Sequence, residues 1–282
     1  MRGINAKLWI VFSFIFIAFV VVDIRLGYLQ IIKHDFYKKK SRAQMQRIVT
    51  LSPERGEILD RNGVALATSV KAYSIYADLF EMKDRTEVAN LLAQNLSSYN
   101  TRMWNRMTHF VWVKRKASLD VKESLTVKGL HFLPDVRRMY PFRERAGQIL
   151  GFVNVDDQGL SGLEYYFNYH LNGKPGTLIL ESDAQGKSMY SYNQKIVPAK
   201  NGKKLQLTID HHIQFMMENQ LQKSVDSLQA EGGLAILMDI HSGEILGMAN
   251  YPFFDPNRYY DYKDTAIFKN NAIQMAFEPG SV

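Results

Sequence analysis

The sequence predicts an α+β protein with a single N-terminal transmembrane helix. Three observations carry that expectation. Residues 8–22 are apolar apart from Ser13, and the pattern continues through Ile24, Leu26, Tyr28 and Leu29. Beyond them, stretches alternating like strands, such as 73–77, are interspersed with runs at helical spacing, such as Ile213, Met216, Met217, Leu221, Val225 and Leu228. Gly- and Asn-containing turns, among them Asn62-Gly63 and His241-Ser242-Gly243, punctuate these stretches.

The chain has 282 residues, enough for one large or two modest domains after the membrane segment. A hydrophobic content of 46% supplies material for a core. Lys and Arg number 35 against 28 Asp and Glu, a net charge of +7. Much of that excess lies between Lys33 and Arg47, beside the apolar run, which fits a membrane surface better than nucleic acid. There is no cysteine, so disulfides, thiolate metal sites and cysteine nucleophiles are excluded.

A membrane span needs about 20 residues, and 8–28 supplies them if Arg25 snorkels to the headgroups. No small-x-small cleavage site follows, which favours an uncleaved anchor over a signal peptide. The basic flank Lys33, Lys38, Lys39, Lys40, Arg42 and Arg47 outnumbers Arg2 and Lys7, so charge alone places the body in the cytoplasm.

Asn62-Gly63 within 55–67 signals a hairpin, because both residues tolerate positive φ. Residues 73–77 read as a strand and 88–96 as an amphipathic helix. Residues 109–113 read as a strand, 118–127 as a capped helix and 130–133 as another strand. Arg138-Met139-Tyr140-Pro141 is expected to break regular structure. Residues 159–171 open a helix that Gly173-Lys174-Pro175-Gly176 stops. Residues 177–181 and 188–192 suggest a hairpin, and 199–202 a domain boundary. Residues 205–209 read as a strand, Asp210 as an N-cap, and Gly232-Gly233 as the end of the following helix. Residues 234–240 and 244–250 form a second hairpin.

His211-His212 is expected to be a surface pair at a helix start, since adjacent side chains diverge and no further ligand cluster has metal-site spacing. Asp156-Asp157 reads as a loop. Ser98-Tyr99-Asn100 and Ser191-Tyr192-Asn193 read as chance triplets. No glycine-rich phosphate loop is present. Ser281 follows a Glu278-Pro279-Gly280 turn, where a helix start would favour a developing alkoxide.

Taken in order, these stretches resemble a class B penicillin-binding protein, a bitopic transpeptidase that cross-links peptidoglycan. Residues 25–30 resemble that family's membrane exit. The run from Arg55 and Gly56 through Asp60, Arg61 and Gly63 is similar to its first pedestal motif. Arg138, Tyr140 and Pro141 resemble the second, and 159–164, with Gly162 and Glu164, the third. Residues 207–210 with Gln214, 243–245, 252–257 and 270–273 resemble the opening of its catalytic domain, and 278–281 the segment bearing the catalytic serine.

The resemblance implies a cytoplasmic tail (1–7), a transmembrane signal anchor (8–30), a mixed α/β pedestal or dimerisation domain (31–200) and the first part of a penicillin-recognising transpeptidase domain (201–282). It implies a body outside the cytoplasmic membrane, against the charge count, and the compact pedestal resembles the septal, cell-division type. Ser281 is implied to be the acyl-ester nucleophile, acting on D-Ala-D-Ala stem peptides and captured by β-lactams. No metal or organic cofactor, no nucleic acid, and division or elongation membrane proteins as partners are implied. The motifs around Arg55 and Glu164 are implied to meet in an ion pair. The family's lysine three residues after the serine does not occur within 1–282, so this stretch alone is expected to be inactive. The alternative is a non-catalytic, membrane-anchored pedestal that binds division or cell-wall partners. With its sheet incomplete, the region from about residue 200 is expected to be the less stable one, with an open hairpin edge.

Overall fold

The structure, a computed structural model, describes residues 2–82, 84–96, 98–105, 110–125, 127–182, 188–189 and 195–276. Ser281 and Glu278 therefore lie outside the described residues, as do His109 and the Ser191-Tyr192-Asn193 triplet. The apolar run forms α1 (Arg2–Gly27), a wider turn over Tyr28–Ile32 and then α2 (His34–Met45) and β1 (Gln46–Leu51). The Asn62-Gly63 loop joins β2 (Ile58–Leu59) to the long β3 (Ala65–Ala77). Next come α3 (Arg85–Asn95), β4 (Val111–Ala117), the single turn α4 (Val121–Ser124) and β5 (Leu130–Met139). Short helices α5 (Gly147–Leu150), α6 (Gly162–Tyr166) and α7 (Asn168–Leu171) lead to β6 (Gly176–Ser182), β7 (Ser188–Met189) and β8 (Lys195–Val197). Then follow β9 (Leu205–Gln206), α8 (His211–Leu228), β10 (Gly233–Met238), β11 (Ile245–Tyr251) and α9 (Asn271–Gln274).

Two compact units result, one of residues 1–51 with 176–198, the other of 52–175 with 199–282. In the first, Phe12–Ile32 is long and apolar enough to cross a membrane, the one such helix among the described residues. Its large side chains, Phe12, Phe14 and Phe19 among them, are exposed, as lipid contact would require. β6 pairs antiparallel with β1, β7 and β8, so the expected hairpin belongs to a wider sheet.

In the second unit β3 is the spine. Along one edge it pairs with β5 from Thr68↔Met139 to Ala77↔Leu130, and elsewhere with β2 and β4. β9 lies parallel to β2. One core gathers Ile75, Leu79, Leu92, Met103, Val113 and Leu125 beneath α3, whose N-cap Asp84 accepts from the backbone N–H groups of Thr86 and Glu87. A second core joins Ile58, Leu66, Tyr140, Leu150 and Leu171 to Phe254, so residues after 200 share apolar packing with the motif-bearing segments before it. The expected drop in stability at residue 200 does not follow this packing. The hairpin expectation does hold in part. Among the described residues β10 pairs with β11 alone, and Leu234, Ile236 and Met238 on it are exposed.

Several local expectations change. The helix over 118–127 shrinks to α4, because the Asp120 side chain makes no cap there. Arg138 and Met139 finish β5 instead of breaking structure, since β3 offers them Ser69 and Thr68 as partners. The helix over 159–171 divides at Phe167 into α6 and α7. α8 ends at Leu228, with Gln229 in the left-handed region at φ 52°, before Gly232-Gly233 is reached. Gly233 instead opens β10 beneath α8, where a Cβ would lie 2.9 Å from the Leu221 side chain.

Candidate functional site

The three motifs converge on one buried cluster. Arg55 Nε donates to Glu164 Oε2 at 2.6 Å, and Arg138 Nε donates to Glu164 Oε1 at 2.7 Å. The expected Arg55–Glu164 ion pair is thus present, but the carboxylate serves two guanidinium groups. All three side chains are at most 2% exposed. Arg55 also donates to the carbonyls of Asp157 and Glu164 and to Asn168 Oδ1. Arg138 Nη1 donates to the carbonyl of Gly56 at 2.8 Å. The Tyr140 hydroxyl completes the set at 3.3 Å from Glu164 Oε1. Burial, then the Glu164 charge, push that phenol well above its ordinary pKa, so it stays a neutral donor.

Close backbone approaches fix these side chains. A Cβ on Gly56 would sit 2.0 Å from the carbonyl oxygen of Lys203. Gly162 has φ 57°, and a Cβ there would meet Gly151 N at 2.6 Å. Pro141 is exposed and begins the turn after Tyr140, whose carbonyl accepts from the Arg143 N–H.

A second polar centre lies at the hairpin loop. Asp60 is fully buried, and its Oδ1 accepts from the N–H groups of Asn62 and Val64, both at 2.8 Å. Its Oδ2 lies 2.6 Å from His211 Nδ1. Burial alone would raise this carboxyl, but the bonds from His211 and the backbone hold it below its ordinary value. Asp210 caps α8 through the N–H groups of His212 and Ile213, and accepts from Asn62 Nδ2. Gly63 supplies the loop's positive φ of 84°. Arg61 is exposed, 3.4 Å from Glu244. Ligand atoms of Asp60, Asp210 and His211 lie within 4.8 Å of one another, the one such group among the described residues able to hold a metal ion. Their oxygens are already engaged by N–H donors, so the geometry is that of a cap joining the loop to α8. His211 is therefore a half-buried partner stacked on Phe142, while His212 lies exposed as expected.

Three contributors escaped the sequence reading. Asn257 brackets Tyr140, accepting from its N–H at 3.0 Å and donating to its carbonyl at 2.9 Å. Glu218 accepts from Ala146 N–H and Gln214, and burial raises its pKa. Asn168 opens α7 just beyond the break at Phe167, and its Oδ1 accepts from Arg55 Nη1 at 2.9 Å. Neither centre holds an activated nucleophile. Both are electrostatic ties.

Comparison with known proteins fits this picture. Residues 50–207 match the penicillin-binding protein dimerisation domain, and 233–282 the penicillin-binding protein transpeptidase domain. The chain is 32% identical over 287 residues to stage V sporulation protein D of Bacillus subtilis, covering 99% of this chain and 44% of the relative. It is 33% identical over 270 residues to the peptidoglycan D,D-transpeptidase FtsI of Escherichia coli, covering 91% and 45%. Among solved structures, a peptidoglycan synthetase from Bifidobacterium adolescentis superimposes with a TM-score of 0.57 at 25% identity, covering 84% of this chain and 48% of that one. The chain thus spans less than half the length of these relatives.

Proposed function

This chain belongs to the penicillin-binding proteins, and from that premise we propose that residues 1–282 supply the anchor, pedestal and catalytic opening of a peptidoglycan D,D-transpeptidase. The observation that carries this reading is a juxtaposition. The pedestal motifs and the start of the transpeptidase match pack in one compact unit, with Phe254 in the same core as Ile58, Leu66 and Leu171. In this reading the Arg55–Glu164–Arg138 cluster, with Gly56, Asp60, Arg61, Gly63, Tyr140, Pro141 and Gly162 around it, is the footing of the catalytic domain.

Ser281 is the nucleophile. Its Oγ attacks the penultimate D-Ala carbonyl of a stem peptide, the peptide bond breaks, and the terminal D-Ala leaves with the proton. An amine of a neighbouring strand then attacks the acyl ester and restores the serine. The reading is tested by exchange of radiolabelled D-Ala into a D-Ala-D-Ala pentapeptide by the product of the whole coding sequence. Exchange that disappears in Ser281→Ala is expected. Exchange that survives the substitution overturns the assignment.

The same reading places the N-terminus inside and the body outside the cytoplasmic membrane, with division or elongation membrane proteins as partners. The exposed apolar surface of Phe12–Ile32 supports a single-pass anchor, while Lys33 and the basic residues after it count against the orientation. A short tail before a long anchor accommodates that exception. Alkaline phosphatase fused after Asn201 should be active, and a fusion active only with a cytoplasmic reporter would reverse the topology.

A further inference from the structure

A cleft of about 540 Å³ in the second unit gathers five cations: Lys114, Arg115 and Lys116 from β4, and Arg137 and Arg138 from β5. Three consecutive strand residues ordinarily point to alternating faces. Here Tyr73 pairs with Ala117 while Ile75 pairs with Lys114, so β4 carries one extra residue, and Lys116 has φ 54°. This bulge breaks the alternation and lets all three basic residues line one cleft.

The charges within it are not balanced. Lys116 is paired with Asp157, Arg115 with the exposed Asp156, and Arg138 shares Glu164 with Arg55. Lys114 and Arg137 have no carboxylate partner among the described residues. Burial, and then the nearby Arg137 charge, depress the Lys114 pKa. Two donors are also left over. Arg138 Nη2 and Arg115 Nε are buried and bond to nothing among the described residues. The Arg138 side chain is 2% exposed and held by Glu164 and the Gly56 carbonyl, so it cannot swing to water to satisfy itself.

We propose that this cleft binds a multivalent oxyanion of the phosphate class, either as a free ion or as a phosphorylated headgroup. Such a group brings several acceptor oxygens carrying high charge into one place. It can neutralise Lys114 and Arg137, the two cleft cations without a carboxylate partner among the described residues. Asn154 on the cleft wall adds a neutral polar contact, and Tyr259 and Tyr260 add apolar wall for whatever the phosphate is attached to. The inference does not depend on the transpeptidase reading, because no residue of the cleft acts at Ser281.

The test is calorimetric titration of the detergent-solubilised full chain with inorganic pyrophosphate, and separately with dihexanoyl phosphatidic acid. A saturable signal is expected that weakens with added salt. Lys114→Gln with Arg137→Gln should weaken it by about tenfold or more. Neither residue belongs to the buried Glu164 cluster, so the variant should fold. Without ligand its melting temperature should equal or exceed that of the unaltered chain, because cation repulsion is relieved. Pyrophosphate should raise the melting temperature of the unaltered chain and not that of the variant. Binding of pyrophosphate alone assigns a free ion, and binding of the lipid alone assigns a headgroup. No saturable binding of either, or equal binding by the double variant, overturns the proposal. D-Ala exchange remains a separate readout, so failure here leaves the assignment of Ser281 standing.

Discussion

Glu164 is fully buried, and each of its oxygens accepts from a different guanidinium group. Removing it strands two cations away from water, whereas removing Arg55 leaves the carboxylate still paired with Arg138. Glu164→Gln is therefore expected to destabilise the second unit by roughly 3–5 kcal/mol, and Arg55→Met by less. Arg55→Lys should not rescue, because a single ammonium cannot reach the carbonyls of Asp157 and Glu164 and Asn168 at once. Denaturant unfolding of the two single variants and the double variant gives the coupling. A value above about 1 kcal/mol is expected, little changed by salt because the pair is shielded from solvent. Independent effects that simply add would remove the cluster from the centre of this account.

At the scale of elements, legibility tracked how local the cause was. The Asn62-Gly63 loop, the Asp210 cap and the β10–β11 hairpin each depend on residues a few positions apart, and each forms as read. The extent of β5 was not legible, because Arg138 and Met139 extend only where β3 supplies distant partners. β1 was hidden for the same reason, since it exists by pairing with β6, far along the chain. The helix expected over 118–127 was read as capped, and because Asp120 makes no capping bond one turn remains. In the cluster, the motif residues were legible through family resemblance, which brought Arg55 and Glu164 together on the page before the fold did. Asn257 and His211 were not. Their roles depend on side chains meeting the Tyr140 backbone and Asp60 across long stretches of chain, which no local pattern encodes.

At the scale of the whole molecule, the motif cluster and residues matching the transpeptidase domain share one core within the second unit. Among the described residues β10 pairs only with β11, and Leu234, Ile236 and Met238 on it are exposed. In the reading proposed above, the cluster is the rigid base on which the catalytic serine is aimed. The central claim is that Ser281 is an acylating nucleophile. It is tested most directly by incubating the product of the whole coding sequence with fluorescent penicillin and mapping the adduct by peptide mass spectrometry. One covalent penicilloyl group on Ser281, absent from Ser281→Ala at unchanged melting temperature, is the predicted result. A folded protein that takes up no penicillin, or takes it up on another residue, would contradict the claim.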